Sequence, residues 1–369
     1  MVMLLTLGIA VGCTKHAKQA VDLYPDAPWV EDETQAVPIM FGNSRYNVTQ
    51  TKAEITNDNL SDVKFGILGL DTEAYTGETK EEGALLLLNR YGVITSDEKL
   101  GTTIKFMEAT GDVRYYYPVY SLYNYSFYGY HTTAANDGDV PALTIEGGNF
   151  LVKDIEIGEA DILWAKAEAE PFSSADGGPW DGYNARYIRN ARKQGDEFYK
   201  EHLPELVFEH KTAALHFNVK AEDADAEESF KEEHDGGLLL TDIALKGAYC
   251  TADLNLTEGT LTGTGEPGKV TFSDETESIR PTTTPQQFGT GLFIVPGVSE
   301  LELEFTLSEP NKREEHVFIS LSPMPEGGFK EGVSYTFTIS IKSLEQIFIR
   351  ASVNEWQENE EKIDDIVIE

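Results

Sequence analysis

Cys13 is the residue near the start of this sequence whose side chain and position most clearly predict a chemical modification. The run before it, Met1–Gly12, is uncharged and largely aliphatic, and it ends in small residues at Ala10 and Gly12. Such a run is too short to cross a bilayer but has the length of a signal-peptide hydrophobic region. Small residues allow a signal peptidase to cut beside the cysteine, and the thiol of that cysteine can carry a diacylglycerol. We therefore predict a signal peptide over residues 1–12 and a lipid anchor at Cys13.

Two aromatic residues, Trp180 and Tyr183, lie in the turn-rich stretch Gly177–Tyr183. Aromatic rings in a loop can stack on a sugar or contact a partner protein. A buried anchor for the same loop accounts for these rings at least as well. Both interpretations remain open from the sequence.

A basic cluster follows in the segment Tyr183–Leu203, which lacks the period of a strand and contains good helix formers. Its arginines are Arg186, Arg189 and Arg192. In a strongly acidic chain, such a cluster can dock an acidic surface of a neighbouring subunit. A surface helix that pairs with its own carboxylates, as Arg192 can with Asp196, is the more ordinary interpretation.

The other residues that could catalyse a reaction or bind a metal form no recognisable motif. The histidines show neither HExxH spacing nor an i,i+4 pair, and they are His16, His131, His202, His210, His216, His234 and His316. The acidic stretch Glu222–Asp235 matches no EF-hand loop, so we expect a solvated loop between strands. The sequence also lacks GxSxG and Walker spacing. We expect no metal, no cofactor and no enzymatic activity.

Charge and cysteine content restrict the classes of partner. The chain carries 64 acidic and 29 basic residues, for a formal net charge of −35. This charge disfavours nucleic acid and adsorption to anionic lipid, so membrane attachment would depend on the covalent anchor alone. Cys250 would have no disulfide partner if Cys13 is lipidated. It lies in an alternating stretch, and we predict a small core or strand residue there.

Alternation of apolar and polar residues recurs along most of the chain. It is clear at Leu215–Val219, Leu301–Leu307, Tyr335–Ile341 and Ile347–Val353. A period of two predicts antiparallel strands with one buried and one solvated face. The tyrosine-rich stretch Val113–His131 fits the same structure, since tyrosine packs well on half-buried sheets.

The chain length of 369 residues suggests two domains. We predict an all-β fold of two β-sandwiches, with the segment Tyr183–Leu203 as a short helical insertion. The predicted boundaries are a signal peptide over 1–12, a tether over 13–32, an N-terminal sandwich over 33–203 and a C-terminal sandwich over 204–369.

The C-terminal segment Tyr335–Glu361 resembles the Bacteroidales fimbrillins, the type V pilins and their Mfa-like relatives. These proteins end a repeated strand pair with Ala-x-Val/Ile-x-x-Trp, which here is the stretch Ala351–Trp356. Further family-like pieces occur in the expected order, at Ile39–Arg45, Lys64–Leu70, Tyr115–His131, Asp161–Ala169, Val207–Ala221 and Leu292–Gly297. The resemblance covers nearly the whole mature chain and implies that the two sandwiches are tandem transthyretin-like domains.

The resemblance also implies a route of assembly. In the relatives that polymerise, a trypsin-like surface protease cuts after a basic residue near the N-terminus and removes the lipid with the first strand. The open groove then accepts a strand of another subunit. Here the resemblance places the removable strand at residues 36–42, with its inward side chains Val37, Ile39 and Phe41, and the cleavage site at Arg45. The tail around Ile366–Ile368 is a candidate donor strand.

The expected function is therefore a fimbrial subunit or fimbria-associated adhesin, anchored by lipid at the outer membrane or cell surface, and part of a fimbrium if processed. Its partners would be other fimbrial subunits, joined by strand exchange, and a host or bacterial surface glycan or protein. A stalk, tip or anchor position stays open. The alternative is a non-polymerising carbohydrate-binding lipoprotein that uses Trp180, Tyr183 or the tyrosine-rich strands within Val113–His131. A hydrolase built on a β-sandwich is a third hypothesis, which no motif supports.

Overall fold

The structure is a computed structural model, which describes only part of the chain. The described residues are 28–46, 63–75, 80–81, 83–97, 100–108, 111–120, 122–132, 141–158, 161–231, 237–271, 278–289, 291–298, 300–309, 313–321, 328–343, 346–355 and 366–368. The predicted signal peptide, Cys13 and most of the predicted tether lie outside them. No helix among these residues is long and apolar enough to cross a membrane.

The N-terminal half consists mainly of short strands. In chain order they are β1 (Val37–Pro38), β2 (Arg45–Tyr46), β3 (Lys64–Leu70), β4 (Leu85–Asp97), β5 (Gly101–Glu108), β6 (Gly111–Val113), β7 (Tyr116–Tyr117), β8 (Ser126–His131), β9 (Leu143–Glu146), β10 (Asn149–Glu156), β11 (Leu163–Ala167), β12 (Phe172–Ser174), β13 (Gly177–Trp180) and β14 (Val207–His210).

The C-terminal half continues in the same way. Its strands are β15 (Ala213–Ala221), β16 (Leu239–Ala248), β17 (Thr251–Asn255), β18 (Thr260–Thr264), β19 (Gly268–Thr271), β20 (Ser278–Ile279), β21 (Gln286–Gln287), β22 (Leu292–Ile294), β23 (Glu302–Glu309), β24 (Arg313–Ser320), β25 (Val333–Ser343), β26 (Gln346–Glu355) and β27 (Ile366–Ile368). The helices of the described residues are α1 (Pro28–Glu31), α2 (Ala185–Lys193), α3 (Asp196–Glu201) and α4 (Ala224–Ser229).

One large sheet organises the N-terminal half. Its strand order is β2-β14-β11-β8-β3-β4-β5-β6, and the β2–β14 pair is parallel whereas the other neighbours are antiparallel. The central strand β3 has apolar residues on both faces. Phe65 and Ile67 belong to one core cluster, and Leu68 and Leu70 belong to another. The sheet is therefore covered on both sides.

A smaller sheet covers one face of the large sheet, and it contains strands from both halves of the chain. Its order is β18-β17-β10-β9, all antiparallel. Phe150 of β10 and Leu254 of β17 pack in the same cluster as Leu68 and Leu70 of β3. The second layer of the N-terminal sandwich is thus completed by the hairpin β17–β18 from the C-terminal half.

Two further sheets form the C-terminal sandwich. One has the order β21-β15-β25-β26-β27 with β22 also on β15, and the other has the order β19-β16-β23-β24 with β20 also on β16. Phe217 and Ile339 of the first sheet meet Leu245 and Leu303 of the second in one core cluster. The pair β15–β25 is parallel, which differs from the antiparallel sheets predicted. The long connection between the two strands permits parallel pairing because it passes through the opposite sheet.

The fold is all-β with sandwiched sheets and a short helical insertion, as predicted. The predicted boundary between domains at residues 203 and 204 stays a prediction. β14 follows that boundary yet pairs with β11 in the N-terminal sheet. The hairpin β17–β18 follows it as well and pairs with β10.

The helices differ in two ways from the sequence-based expectations. The predicted helical segment is divided at Gly195 into α2 and α3, and the Asn184 side chain caps α2 by accepting from the Tyr187 backbone N–H at 2.9 Å. The acidic stretch predicted as a loop contains α4. This short helix begins where the Asp223 side chain accepts from the Ala226 backbone N–H at 2.8 Å.

Candidate functional site

Residues 36–45, called the N-terminal strap from here on, run along the open side of the N-terminal core. Val37 and Pro38 pair antiparallel with Tyr117 and Tyr116 as the β1–β7 ladder. Farther along, the Ile39 N–H donates to the Tyr115 carbonyl at 2.8 Å. The first part of the strap is therefore held as an edge strand by a single neighbour, as far as the described residues go.

The apolar side chains of the strap fill the core. Val37, Ile39 and Phe41 are 0%, 5% and 0% exposed. The Phe41 ring meets the rings of Phe106 and Phe127 edge-on, with centroids 5.8 and 5.2 Å away. These side chains alternate with partly buried residues, so the strap has the inward face that its sequence period indicates. Its role as a removable strand stays a prediction.

The second part of the strap connects the two ends of the large sheet. The buried Ser44 donates its N–H to the Thr102 carbonyl in β5 at 3.0 Å, and its hydroxyl accepts from the Leu206 N–H at 3.2 Å. Arg45 in turn donates its N–H to the Leu206 carbonyl, just before β14, at 3.1 Å. The backbone of the strap thus connects β5, near one edge of the large sheet, to the residues before β14, near the other edge.

Arg45, the predicted cleavage site, lies at the end of the strap with its side chain half-exposed. The guanidinium forms an ion pair with Glu205, whose carboxylate also accepts from the Asn43 side-chain amide at 3.4 Å. An ion pair this exposed contributes little to stability. The peptide bond that follows Arg45 lies in β2, which pairs with β14. A protease would have to detach this two-residue strand before cutting.

Arg189, predicted as part of a docking cluster, points into the molecule instead. It is 5% exposed, and its Nε–H donates to the Trp29 carbonyl at 3.0 Å, while Nη2 donates to the Gln35 carbonyl. Burial lowers the pKa of Arg189, and the negative charges of Glu33 and Asp32 oppose that shift. Arg189 therefore holds the segment before the strap rather than presenting charge to a neighbour.

The other two predicted arginines contact aromatic rings of the helical insertion. Arg186 is exposed and lies over the Trp180 ring at 4.3 Å. Arg192 pairs with Asp196, as the i,i+4 spacing predicts, and lies 5.2 Å from the centroid of the Tyr199 ring. The structure thus distributes the basic cluster over three different environments, and of the three only Arg186 is exposed.

Trp180 is the last residue of β13 and Tyr183 follows that strand, and both side chains are buried in the core. They are 9% and 5% exposed, and the indole N–H of Trp180 donates to the Ser174 hydroxyl at 3.2 Å. The Tyr183 hydroxyl donates to the Glu168 carbonyl at 3.1 Å, and burial raises the pKa of this tyrosine. A sugar stacks on an exposed ring face, and neither ring offers one. Their burial therefore disagrees with the hypothesis that these two rings contact a ligand.

The tail considered as a donor strand pairs with its own chain. β27 forms an antiparallel ladder with β26 that joins Ile368 to Ile349 and Ile366 to Ala351. Trp356, which carries part of the family resemblance, lies outside the described residues. Within the described ranges, no three His, Cys, Asp or Glu side chains converge as metal ligands.

Comparison with known proteins identifies the family. A family model described as fimbrillin-like matches residues 51–356. No curated protein matches the sequence. Among solved structures, a candidate cell adhesion protein from Bacteroides uniformis is 17% identical, with 87% of this chain and 97% of that chain covered and a TM-score of 0.48.

Two fimbrial proteins are also similar in structure. One is a fimbrial protein from Bacteroides vulgatus at 12% identity, with 87% of this chain and 99% of that chain covered and a TM-score of 0.43. The other is the fimbrial anchor protein Mfa2 from Porphyromonas gingivalis at 9% identity, with 87% and 98% covered and a TM-score of 0.39. The family model spans most of the chain, so this protein belongs to the fimbrillin-like family, and the resemblance inferred from its sequence is confirmed.

Proposed function

We propose that this protein is a non-enzymatic fimbrial subunit or fimbria-associated adhesin of the cell surface, whose strap is removed by cleavage after Arg45. Membership of the fimbrillin-like family supports the general function. The burial of Val37, Ile39 and Phe41 at the edge of an otherwise formed core is the observation that carries the specific step. The matched region begins at residue 51, so a chain cut at Arg45 keeps all of it.

Removal of the strap would leave a defined vacancy. Each large apolar side chain withdrawn from the core forfeits about 1.5–3 kcal/mol of burial free energy. The carbonyls of Tyr115, Thr102 and Leu206 would lose the strap N–H groups that donate to them. The Leu206 N–H would lose the Ser44 hydroxyl that accepts from it. An incoming strand with apolar residues at every second position restores both the burial and the hydrogen bonds. Other copies of this chain, or other fimbrial subunits, are the partners that such a vacancy fits.

The anchor before the strap gives the cleavage a second consequence. A lipid on Cys13 would hold the uncut chain at the outer membrane. Cleavage after Arg45, once the strap has departed, would free the folded part from that anchor and open the groove. A chain that is never cut would stay attached as a permanent surface component.

Limited trypsin treatment tests the proposal. We expect a cut after Arg45, a new N-terminus at Tyr46 by N-terminal sequencing, and SDS-resistant oligomers once the strap has left. The matched control is Arg45→Gln, which keeps the length of the strap and should give neither the cut nor the oligomers. The proposal is wrong if the strap is removed cleanly and the product remains monomeric at high concentration.

A further inference from the structure

The buried guanidinium of Arg189 contacts a part of the chain that the proposed cleavage would separate from it. Arg189 belongs to α2, which follows Arg45 in the sequence and stays with the folded part. The carbonyls of Trp29 and Gln35, which accept its hydrogen bonds, precede Arg45 and belong to the part that leaves. The contact therefore bridges the cut, and cleavage of the Arg45–Tyr46 peptide bond breaks no bond within it.

The segment that accepts the hydrogen bonds of Arg189, residues 29–35, has local hydrogen bonds of its own. The Asp32 side chain accepts from the Thr34 N–H at 2.9 Å, and the Gln35 N–H donates to the Asp32 carbonyl at 3.1 Å. Trp29 is 7% exposed and its ring lies 6.4 Å from the Tyr199 ring. Arg189 thus binds both sides of a compact turn, at two carbonyls that are fixed relative to each other.

We propose that Arg189 is a latch that retains the N-terminal segment after proteolysis, so that cleavage after Arg45 and release of the strap are separate steps. This proposal rests on the proposed cleavage at Arg45. On this proposal, strand exchange begins when the hydrogen bonds of Arg189 break, and not when the peptide bond after Arg45 is cut.

The chemistry of the contact supports a kinetic role. Hydrogen bonds from a charged donor are stronger than those between neutral groups, and a guanidinium can hold two acceptors in a fixed geometry. On release the guanidinium regains water, so the latch slows departure instead of preventing it. Loss of two such bonds should accelerate release by about tenfold to hundredfold.

The test separates cleavage from release. The full chain is cut with trypsin, the protease is inhibited, and the fragment that ends at Arg45 is followed by native size-exclusion chromatography and mass spectrometry. The variants are Arg189→Gln, which loses the charge, and Arg186→Gln as the control on the same helix. We expect the wild type and Arg186→Gln to retain the fragment, and Arg189→Gln to lose it about tenfold to hundredfold faster.

Equal release rates for the wild type and Arg189→Gln would overturn the latch, and so would equal acceleration by Arg186→Gln. If Arg189→Gln does not fold, Arg189→Lys takes its place, since it keeps the charge without the paired donors, and it should release the fragment at an intermediate rate. A failure of trypsin to cut at Arg45 counts against the proposed function only. The latch is then measured by inserting a specific protease site within residues 47–62, because a cut there leaves the same contacts bridged.

Discussion

His131 places an ionisable ring inside the N-terminal half, where β8 lies between β3 and β11. It is 2% exposed, and its Nδ1 lies 2.9 Å from the Lys64 carbonyl. Burial lowers the pKa of His131, while the hydrogen bond to Lys64 and the charge of Asp161 oppose the shift. Asp161 also pairs with the buried His210 at 2.9 Å. The ring is therefore favoured in its neutral form in the folded chain.

The pH dependence of stability follows from this residue. Below about pH 6.5, the histidine of the unfolded chain binds a proton that folded His131 resists. Its contribution to the free energy of unfolding is complete above that pH and is lost as the pH falls through the lower folded pKa. We expect urea unfolding between pH 7.5 and 5 to show a smaller loss of stability in His131→Gln than in the wild type. His316→Gln, at an exposed position, serves as the control for the substitution itself. Parallel curves for the wild type and His131→Gln would contradict the prediction.

The sequence allows the strap to be predicted but not the latch. Val37, Ile39 and Phe41 follow a period of two, which marks an inward face wherever the strand pairs. Arg186, Arg189 and Arg192 recur at equal spacing, and nothing local distinguishes the one that turns inward. The partners of Arg189 lie 160 and 154 residues away in the sequence. Contacts between residues so far apart in the sequence cannot be read from the spacing of residues within one segment.

At the scale of elements, the hairpin β17–β18 shows most directly how the two halves of the chain pack together. It extends the sheet of β9 and β10, and the indole N–H of Trp164 in β11 donates to the Leu256 carbonyl at its turn at 2.9 Å. Gly259 in the same turn has φ +71°, and a Cβ there would lie 2.8 Å from the Trp164 ring. The turn is thus fitted against the opposite half of the chain.

Two glycine substitutions test that fit, one in the turn of this hairpin and one directly after β18. Gly259→Ala and Gly265→Ala both place alanine at positive φ, which costs about 1–2 kcal/mol in each case. A methyl group at Gly265 would have no other atom within 4 Å, whereas one at Gly259 would meet the Trp164 ring. We expect Gly259→Ala to lose about 1–3 kcal/mol more in urea unfolding, as overpacking does. Equal losses in both variants would show that the contact with Trp164 is unimportant.

The alternation of apolar and polar residues predicted the positions of the strands better than it predicted which strands are neighbours in a sheet. It identified the faces of β15, β23 and β25, which the core confirms. It did not reveal the parallel pair β15–β25 or the sheet shared by the two halves, because a face pattern carries no information about the neighbour. The prediction for Cys250 was wrong for a related reason. Its stretch alternates, but the residue lies exposed between β16 and β17, where the chain turns.

At the scale of the whole molecule, the core cluster shared by the two halves couples them. Leu68 and Leu70 come from the large sheet, Leu254 and Leu256 come from the hairpin, and Val295 comes from the C-terminal sandwich. Unfolding one half would therefore expose apolar surface of the other. Such coupling favours a single cooperative transition over independent melting of two units.

Calorimetry measures this coupling. We expect one thermal transition for the intact chain, with equal calorimetric and van't Hoff enthalpies. Leu254→Ala should shift that whole transition to lower temperature, since truncation of a buried leucine costs about 2–5 kcal/mol. Two resolved transitions, only one of which responds to Leu254→Ala, would instead support the separate domains predicted on either side of residue 203.

The path of the strap also sets the order in which the molecule is completed during synthesis. The strap leaves the ribosome early, yet the ion pair of Arg45 with Glu205 joins residues 160 positions apart. Pairing over such a separation forms late and slowly, because the loop must close before the contact gains anything. Until then the nascent core lacks its cover, and any neighbouring strand competes for the same place. The strap can therefore dock fully only after residues 205 and 206 have been made, so the chain closes its N-terminal core late and with one of its earliest segments.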